Sequence, residues 1–245
     1  MPSQKSTTAR GPITMAIDIG GSGLKAMLLD PEGKAITERE RIATPAIPTP
    51  RACITRLDKL KAALPKFDRV SVGFPGVIKR GTVWTAVNLH PAWVGFPLQQ
   101  QLENRWHKPV RVANDAAIQG YGAIKGVGLE MIITLGTGMG SSLFTSGRSF
   151  PLELGHHPWK RRTYEDFIGR RGLDKYGKKR WNKHLLEAIR QTAATFNWDH
   201  LYLGGGNTKK IDFELPKDVS IVSNETGLLG GVALWNDDTL SGKRA

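Results

Sequence analysis

The sequence predicts an α/β protein built as two lobes around a cleft, on three observations. Residues 15–25, MAIDIGGSGLK, read as strand, tight glycine turn and strand, a hairpin whose tip exposes backbone N–H groups. Residues 131–143, MIITLGTGMGSSL, repeat that plan in the second half of the chain. Between and after them, short apolar, β-branched runs alternate with stretches of helical period. Two glycine-tipped hairpins, one per half, point to a duplicated architecture with both loops facing one cleft.

The loops have a chemical use. Glycines let a backbone close around a phosphate, and consecutive amides form an anion-binding concavity. Ser22 and Lys25 add a hydroxyl and a cation to the first loop, and Asp18 is placed to hold Mg²⁺, directly or through water. An ordinary hairpin turn is the plainer alternative for either loop taken alone. Neither is a GxxxxGK[ST] loop or a GxGxxG opening a helix, which removes two common nucleotide-binding folds.

Composition narrows the class. A chain of 245 residues with 40% hydrophobic content can bury a good core. No apolar run reaches membrane-span length and no signal-peptide core is seen, so a cytoplasmic location and no membrane partner are expected. A single cysteine, Cys53, rules out an internal disulfide and a thiolate zinc cluster. Lys and Arg number 35 against 22 Asp and Glu, a net charge of +13 that favours a polyanionic partner: nucleic acid, an anionic membrane surface or a polymeric phosphate.

In chain order, a third strand is expected over 35–42 and a helix over 51–64. A strand at 70–74 runs into the turn Gly73-Phe74-Pro75-Gly76, and a hairpin over 77–87 turns at Lys79-Arg80-Gly81. Asn88 and Trp93 follow, then a helix over 98–106 and a strand over 110–113. The lobe boundary is placed there, with residues 1–113 in one lobe and 114–245 in the other. Asn114-Asp115 opens a helix to about residue 125. An Asp at that position is either a helix cap or a general base taking a proton from a substrate hydroxyl at the mouth of a sheet.

In the second half, Glu153 and His156 flank a glycine and could bind sugar hydroxyls or a metal; pairs of this kind are often structural. A helix fits 182–197, a strand at 201–203 ends in Gly204-Gly205-Gly206-Asn207, and a helix over 225–235 is expected to close the chain and pack back on the first lobe. Residues 159–184 are the most basic stretch, with Lys160, Arg161, Arg162, Arg170, Arg171, Lys178, Lys179 and Arg180 interleaved with Trp159, Tyr164, Tyr176 and Trp181. This is either a solvated face or a track for a polyanion, the aromatic rings suiting nucleic acid.

The succession DIGGSGLK, GFPG, Asn88, ND, TLGTGMGS, ELGH, GGGN resembles the ROK family of sugar kinases over nearly the whole chain, closest to its polyphosphate glucokinase branch. That resemblance implies a two-lobed actin/hexokinase/Hsp70-like (ribonuclease H-like) fold and phosphoryl transfer from polyphosphate, with ATP as an alternative donor, to the 6-hydroxyl of glucose. It implies Asp115 as the base, Gly76, Asn88, Asn114, Glu153, His156 and Glu165 as sugar ligands, and Asp18 as the Mg²⁺-associated carboxylate. Gly20, Gly21, Ser22, Gly23, Lys25, Gly136, Thr137, Gly138, Gly205, Gly206 and Asn207 match donor-phosphate contacts. Most relatives carry a cysteine-rich zinc site after the GH pair; the cysteines are missing here, so no structural zinc is expected. The basic segment stands in that place and becomes the candidate polyphosphate track. An ATP-dependent glucose or mannose kinase is the second reading. A sugar-responsive nucleic-acid-binding regulator is the third, disfavoured because only about a dozen residues precede the first strand. A homodimer is the usual family state.

Overall fold

A computed structural model of the chain describes residues 11–87, 89–223 and 229–236. Two five-stranded sheets are laid down with the same connectivity. The first contains β1 (Thr14–Ile19), β2 (Gly23–Leu29), β3 (Glu40–Ala43), β4 (Arg69–Phe74) and β7 (Val110–Asn114), in the order β3-β2-β1-β4-β7. The second contains β8 (Leu129–Leu135), β9 (Met139–Thr145), β10 (Arg148–Leu152), β13 (His200–Gly204) and β14 (Val219–Ile221), in the order β10-β9-β8-β13-β14. In each sheet the first three strands form an antiparallel meander and the last two join in parallel. The expected pair of glycine-tipped hairpins is β1–β2 and β8–β9. Their tips are closed by Gly20 N–H donating to the Gly23 carbonyl at 3.0 Å and Gly136 N–H donating to the Gly138 carbonyl at 3.1 Å.

Residue type explains the local elements. Helix α1 (Pro50–Ala63) starts with Pro at its first position and Thr49 as cap, the hydroxyl accepting from Ala52 N–H. Its buried Cys53, Ile54, Leu57 and Leu60 and the buried Leu98, Leu102 and Trp106 of α2 (Leu98–Trp106) pack in the first sheet's core around Trp93. The hairpin of β5 (Ile78–Lys79) and β6 (Thr82–Val83) turns on Arg80 and Gly81, at φ of 51° and 73°. Two consecutive left-handed residues match the strand twist in a two-residue turn.

The structure departs from the sequence expectations at four places. The third strand begins at Glu40 rather than 35, with only an isolated bridge at Ala35, because the turn at 30–34 is followed by exposed polar chain. The helix after Asn114, α3 (Asp115–Tyr121), ends four residues early at a run containing Gly122, Gly126 and Gly128. Strands β10 and β14 escaped the reading; β10 follows a tight Ser146-Gly147 turn that looked like an end. The helix placed over 182–197 begins much earlier, as α5 (Arg170–Phe196), kinked at Gly177. A short β11 (Pro158–Trp159), β12 (Arg162–Thr163) and α4 (Tyr164–Ile168) precede it.

The aromatic residues of this basic stretch are not a stacking surface. Trp159, Tyr164 and Trp181 are buried in the second sheet's core, and Tyr176 stacks on Phe167 at 5.6 Å between ring centres. Trp181 is wholly buried, with Nε1–H donating to the Ile168 carbonyl at 2.9 Å. Trp181→Ala is expected to remove about 3–5 kcal/mol of stability, lowering the thermal midpoint by roughly 10 °C in a calorimetric scan.

Of the expected closing helix, residues 229–236 are described and include a 3₁₀ turn at Ala233–Asn236; the remainder lies outside the described residues. This strap lies against the first sheet, Val232 packing with Ala16 and Leu29. Ser71 Oγ–H donates to the Gly231 carbonyl and accepts from Trp235 Nε1–H. The guanidinium groups of Arg69 and Arg111 lie 4.9 and 4.8 Å from the Trp235 ring centre.

Candidate active site

The two hairpin tips, the GFPG turn and the start of α3 line one cleft of about 800 Å³. Asn114 is the last residue of β7 and pairs in register with Phe74 of β4, so the sheet itself brings the ND pair beside the GFPG turn. Asn114, with extended backbone, is the helix cap: its Oδ1 accepts from Ala116 N–H at 2.9 Å while its Nδ2 donates to the Gly76 carbonyl at 3.2 Å. Asp115, the first helical residue, is therefore not needed as the cap. Its carboxylate also accepts from Ala116 N–H, at 2.7 Å, and lines the cleft.

Burial pushes the Asp115 carboxyl up to about 7, and the negative charges of Asp18 and Glu153 push the same way. A carboxylate poised near neutrality can accept a proton from a hydroxyl and release it afterwards. Glu153 is also raised, by burial first; Glu165 adds to the rise and His156 opposes it. His156 Nε2 lies 3.5 Å from Glu153 Oε2. Glu165 accepts from Met139 N–H at 3.1 Å and occupies the space that any side chain at Gly138 would take.

On the first hairpin, Asp18 and Lys25 are cross-strand partners, with Nζ donating to Oδ2 at 2.7 Å. Gly20, Gly21, Ser22, Gly136, Thr137, Gly138, Gly205 and Gly206 all line the cleft, as do Gly76, Glu153, His156 and Glu165. Gly205, at φ +90°, runs so close to the Leu135 carbonyl that a side chain would collide with it. Gly23 and Asn207 stand behind this wall. Gly23 lies in β2 against the Arg41 side chain, and buried Asn207 donates from Nδ2 to the Gly136 carbonyl at 2.8 Å, holding the loop. Asn88 lies outside the described residues.

None of Lys160, Arg161, Arg162, Arg170, Arg171, Lys178, Lys179 and Arg180 lines the cleft. Four are paired with acids: Lys160 with Glu187 at 2.6 Å, Arg170 with Asp174 at 2.9 Å, Arg171 with Asp166 at 3.6 Å and Lys178 with Asp212 at 3.4 Å. Yet α5 starts at the second glycine loop, where Arg170 N–H donates to the carbonyls of Gly136 and Thr137 at 3.1 and 3.2 Å. The exposed basic surface thus begins at the rim of the site.

Motif reading missed Arg39, Gln119 and Thr134, which also line the cleft. Arg39 sits in a loop with no pattern to mark it. Gln119 was findable, since it lies four residues after Asp115 and so on the same helical face.

Asp18 and Asp115 supply hard carboxylate oxygens to one space, which suits a divalent ion completing its shell with water and phosphate oxygens. Among the described residues no cluster of three or more His, Cys, Asp or Glu side chains forms a self-contained metal cage.

Two matching sheets, each offering a glycine loop to a common cleft, define the actin/hexokinase-like class of phosphoryl-transfer folds. Within it the chain belongs to the ROK family, whose model matches residues 14–170. It is 31% identical to the polyphosphate glucokinase of Mycobacterium tuberculosis strain H37Rv, covering 86% of this chain and 82% of that protein. The Mycobacterium leprae polyphosphate glucokinase is 29% identical over 96% of this chain and 74% of that one. Among solved structures, the inorganic polyphosphate/ATP-glucomannokinase of Arthrobacter sp. strain KM superposes with a TM-score of 0.81 at 28% identity, covering 91% and 97% of the two chains.

Proposed function

We propose that this chain moves the terminal phosphoryl group of inorganic polyphosphate to the 6-hydroxyl of glucose, with Asp115 as general base. The observation that carries this reading is the near-neutral Asp115 carboxyl at the floor of a cleft walled by two glycine loops. Phosphoryl transfer asks mainly for positioning and charge stabilisation, which backbone amides and one base supply. Asn114, Glu153, His156 and Glu165 are the groups to hold the sugar, since polar side chains matched to several hydroxyls reject sugars that leave them unpaired. Mg²⁺, when bound, would offset donor charge, with Asp18 holding it. Lys25 and the amides of both loops would bind the donor oxygens.

Two points support a polymeric donor over a nucleotide: the names of the mycobacterial relatives, and the basic surface that starts where Arg170 meets the loop at Gly136–Thr137. A coupled assay for glucose 6-phosphate with polyphosphate or ATP as sole donor tests the reading. Turnover with polyphosphate upholds it. Turnover with ATP alone replaces the donor and leaves an ATP-dependent hexose kinase, and none with either overturns it.

A further inference from the structure

Gln119 stands one turn beyond Asp115 on α3, and its side chain shares the same cleft. The two residues address different parts of the second sheet. Asp115 lies near Gly140 at the β8–β9 tip, while the Gln119 carboxamide lies against Gly204, filling the space a side chain there would take. Gly204 ends β13 and leads directly into the Gly205–Gly206 turn, which lines the cleft and which the phosphoryl-transfer reading gives to the donor. Gln119 is therefore a polar side chain that touches both the helix of Asp115 and the strand end before that turn.

Only 8% of Gln119 is exposed. Buried amides as a rule use their full hydrogen-bonding capacity. Among the described residues, Gln119 makes one hydrogen bond, Nε2–H to the Ser223 carbonyl at 3.4 Å, close to the limit for such a bond. The rest of its capacity is available to whatever enters the cleft.

We propose that Gln119 positions the donor, its carboxamide hydrogen-bonding a non-bridging oxygen of the phosphoryl chain between Asp115 and the Gly205–Gly206 turn. This inference rests on the phosphoryl-transfer reading above. A neutral amide suits the place. A lysine one turn from Asp115 would draw the base's affinity for protons down, and a glutamate would raise it and repel the donor. The amide binds an anionic oxygen and leaves the base alone.

The test is Gln119→Met, which keeps the length and bulk over Gly204 and removes the amide. Two quantities are compared with the unaltered protein: the KM for polyphosphate against that for glucose, and the rise in melting temperature that polyphosphate causes without sugar. A rise of about tenfold in the polyphosphate KM, with the glucose KM unchanged and the ligand-induced rise diminished, is expected. An unchanged polyphosphate KM with an undiminished rise overturns the inference, as does a parallel increase of both KM values, which reports general loosening. The second readout compares protein with and without ligand, so a variant that is merely less stable still answers. If the unaltered protein turns over no donor, the function reading fails, and polyphosphate-induced stabilisation still decides the Gln119 contact.

Discussion

Asp115→Asn is expected to lower kcat for sugar phosphorylation by about a hundred- to ten-thousandfold, with far smaller changes in either KM. Asparagine keeps the size of the side chain but cannot accept the hydroxyl proton. The helix start should survive, because Asn114 and not Asp115 is its cap. In the unaltered protein the acid limb of the kcat/KM profile, which reports the free enzyme, should fall near pH 7, where the buried carboxyl titrates. The same burial sets a stability trend. A folded-state pKa raised above the unfolded value means the folded chain holds more protons, so this group's contribution to stability falls as pH rises through about 7. Asp115→Asn should therefore melt above the parent at pH 8, with the gap closing below about pH 4. A variant that is inactive and destabilised at pH 8 would make Asp115 a structural residue instead.

The second large effect is one of salt. If a flexible polyphosphate engages about four cations on the surface that starts at Arg170, its affinity should fall about fiftyfold between about 50 and 200 mM monovalent salt, by release of condensed counterions. The KM for glucose, a neutral ligand, should stay flat. Substituting Lys175 and Lys179 together by glutamine should flatten the polyphosphate slope without changing turnover at saturating donor. Neither forms an ion pair among the described residues. A donor KM insensitive to salt would confine recognition to the cleft.

Much of this was legible in the chain because the signals are local. Glycine turns between apolar runs mark hairpin tips, and the ND pair after a β-branched strand marks a strand-to-helix corner. What resisted reading is what tertiary context decides. The 170–181 segment has no clean apolar stripe, being strongly charged and interrupted by the kink at Gly177, so its helix emerges only from the burial of Trp181 and Leu185 against the second sheet. Strand β14 has three residues and is held by pairing with β13. At the site, the glycines and carboxylates marked by motif line the cleft, while the depth of a side chain is not written in a motif. Asn207, expected at the donor, donates from its side chain to the Gly136 carbonyl, because which way a side chain turns at the end of a strand depends on the loop opposite.

The strap at 229–236 gives the far end of the molecule a say in the cleft. Trp235 and Gly231 grip Ser71 in β4 and Leu234 receives a hydrogen bond from Arg111 in β7, the two strands whose other ends carry the GFPG turn and Asp115. Gly230 lies against the Ile118 carbonyl of α3, with no room for a larger residue. A bulky substitution at Gly230 would push on α3 and, through this strap, on the same strands that carry Asp115 and the GFPG turn.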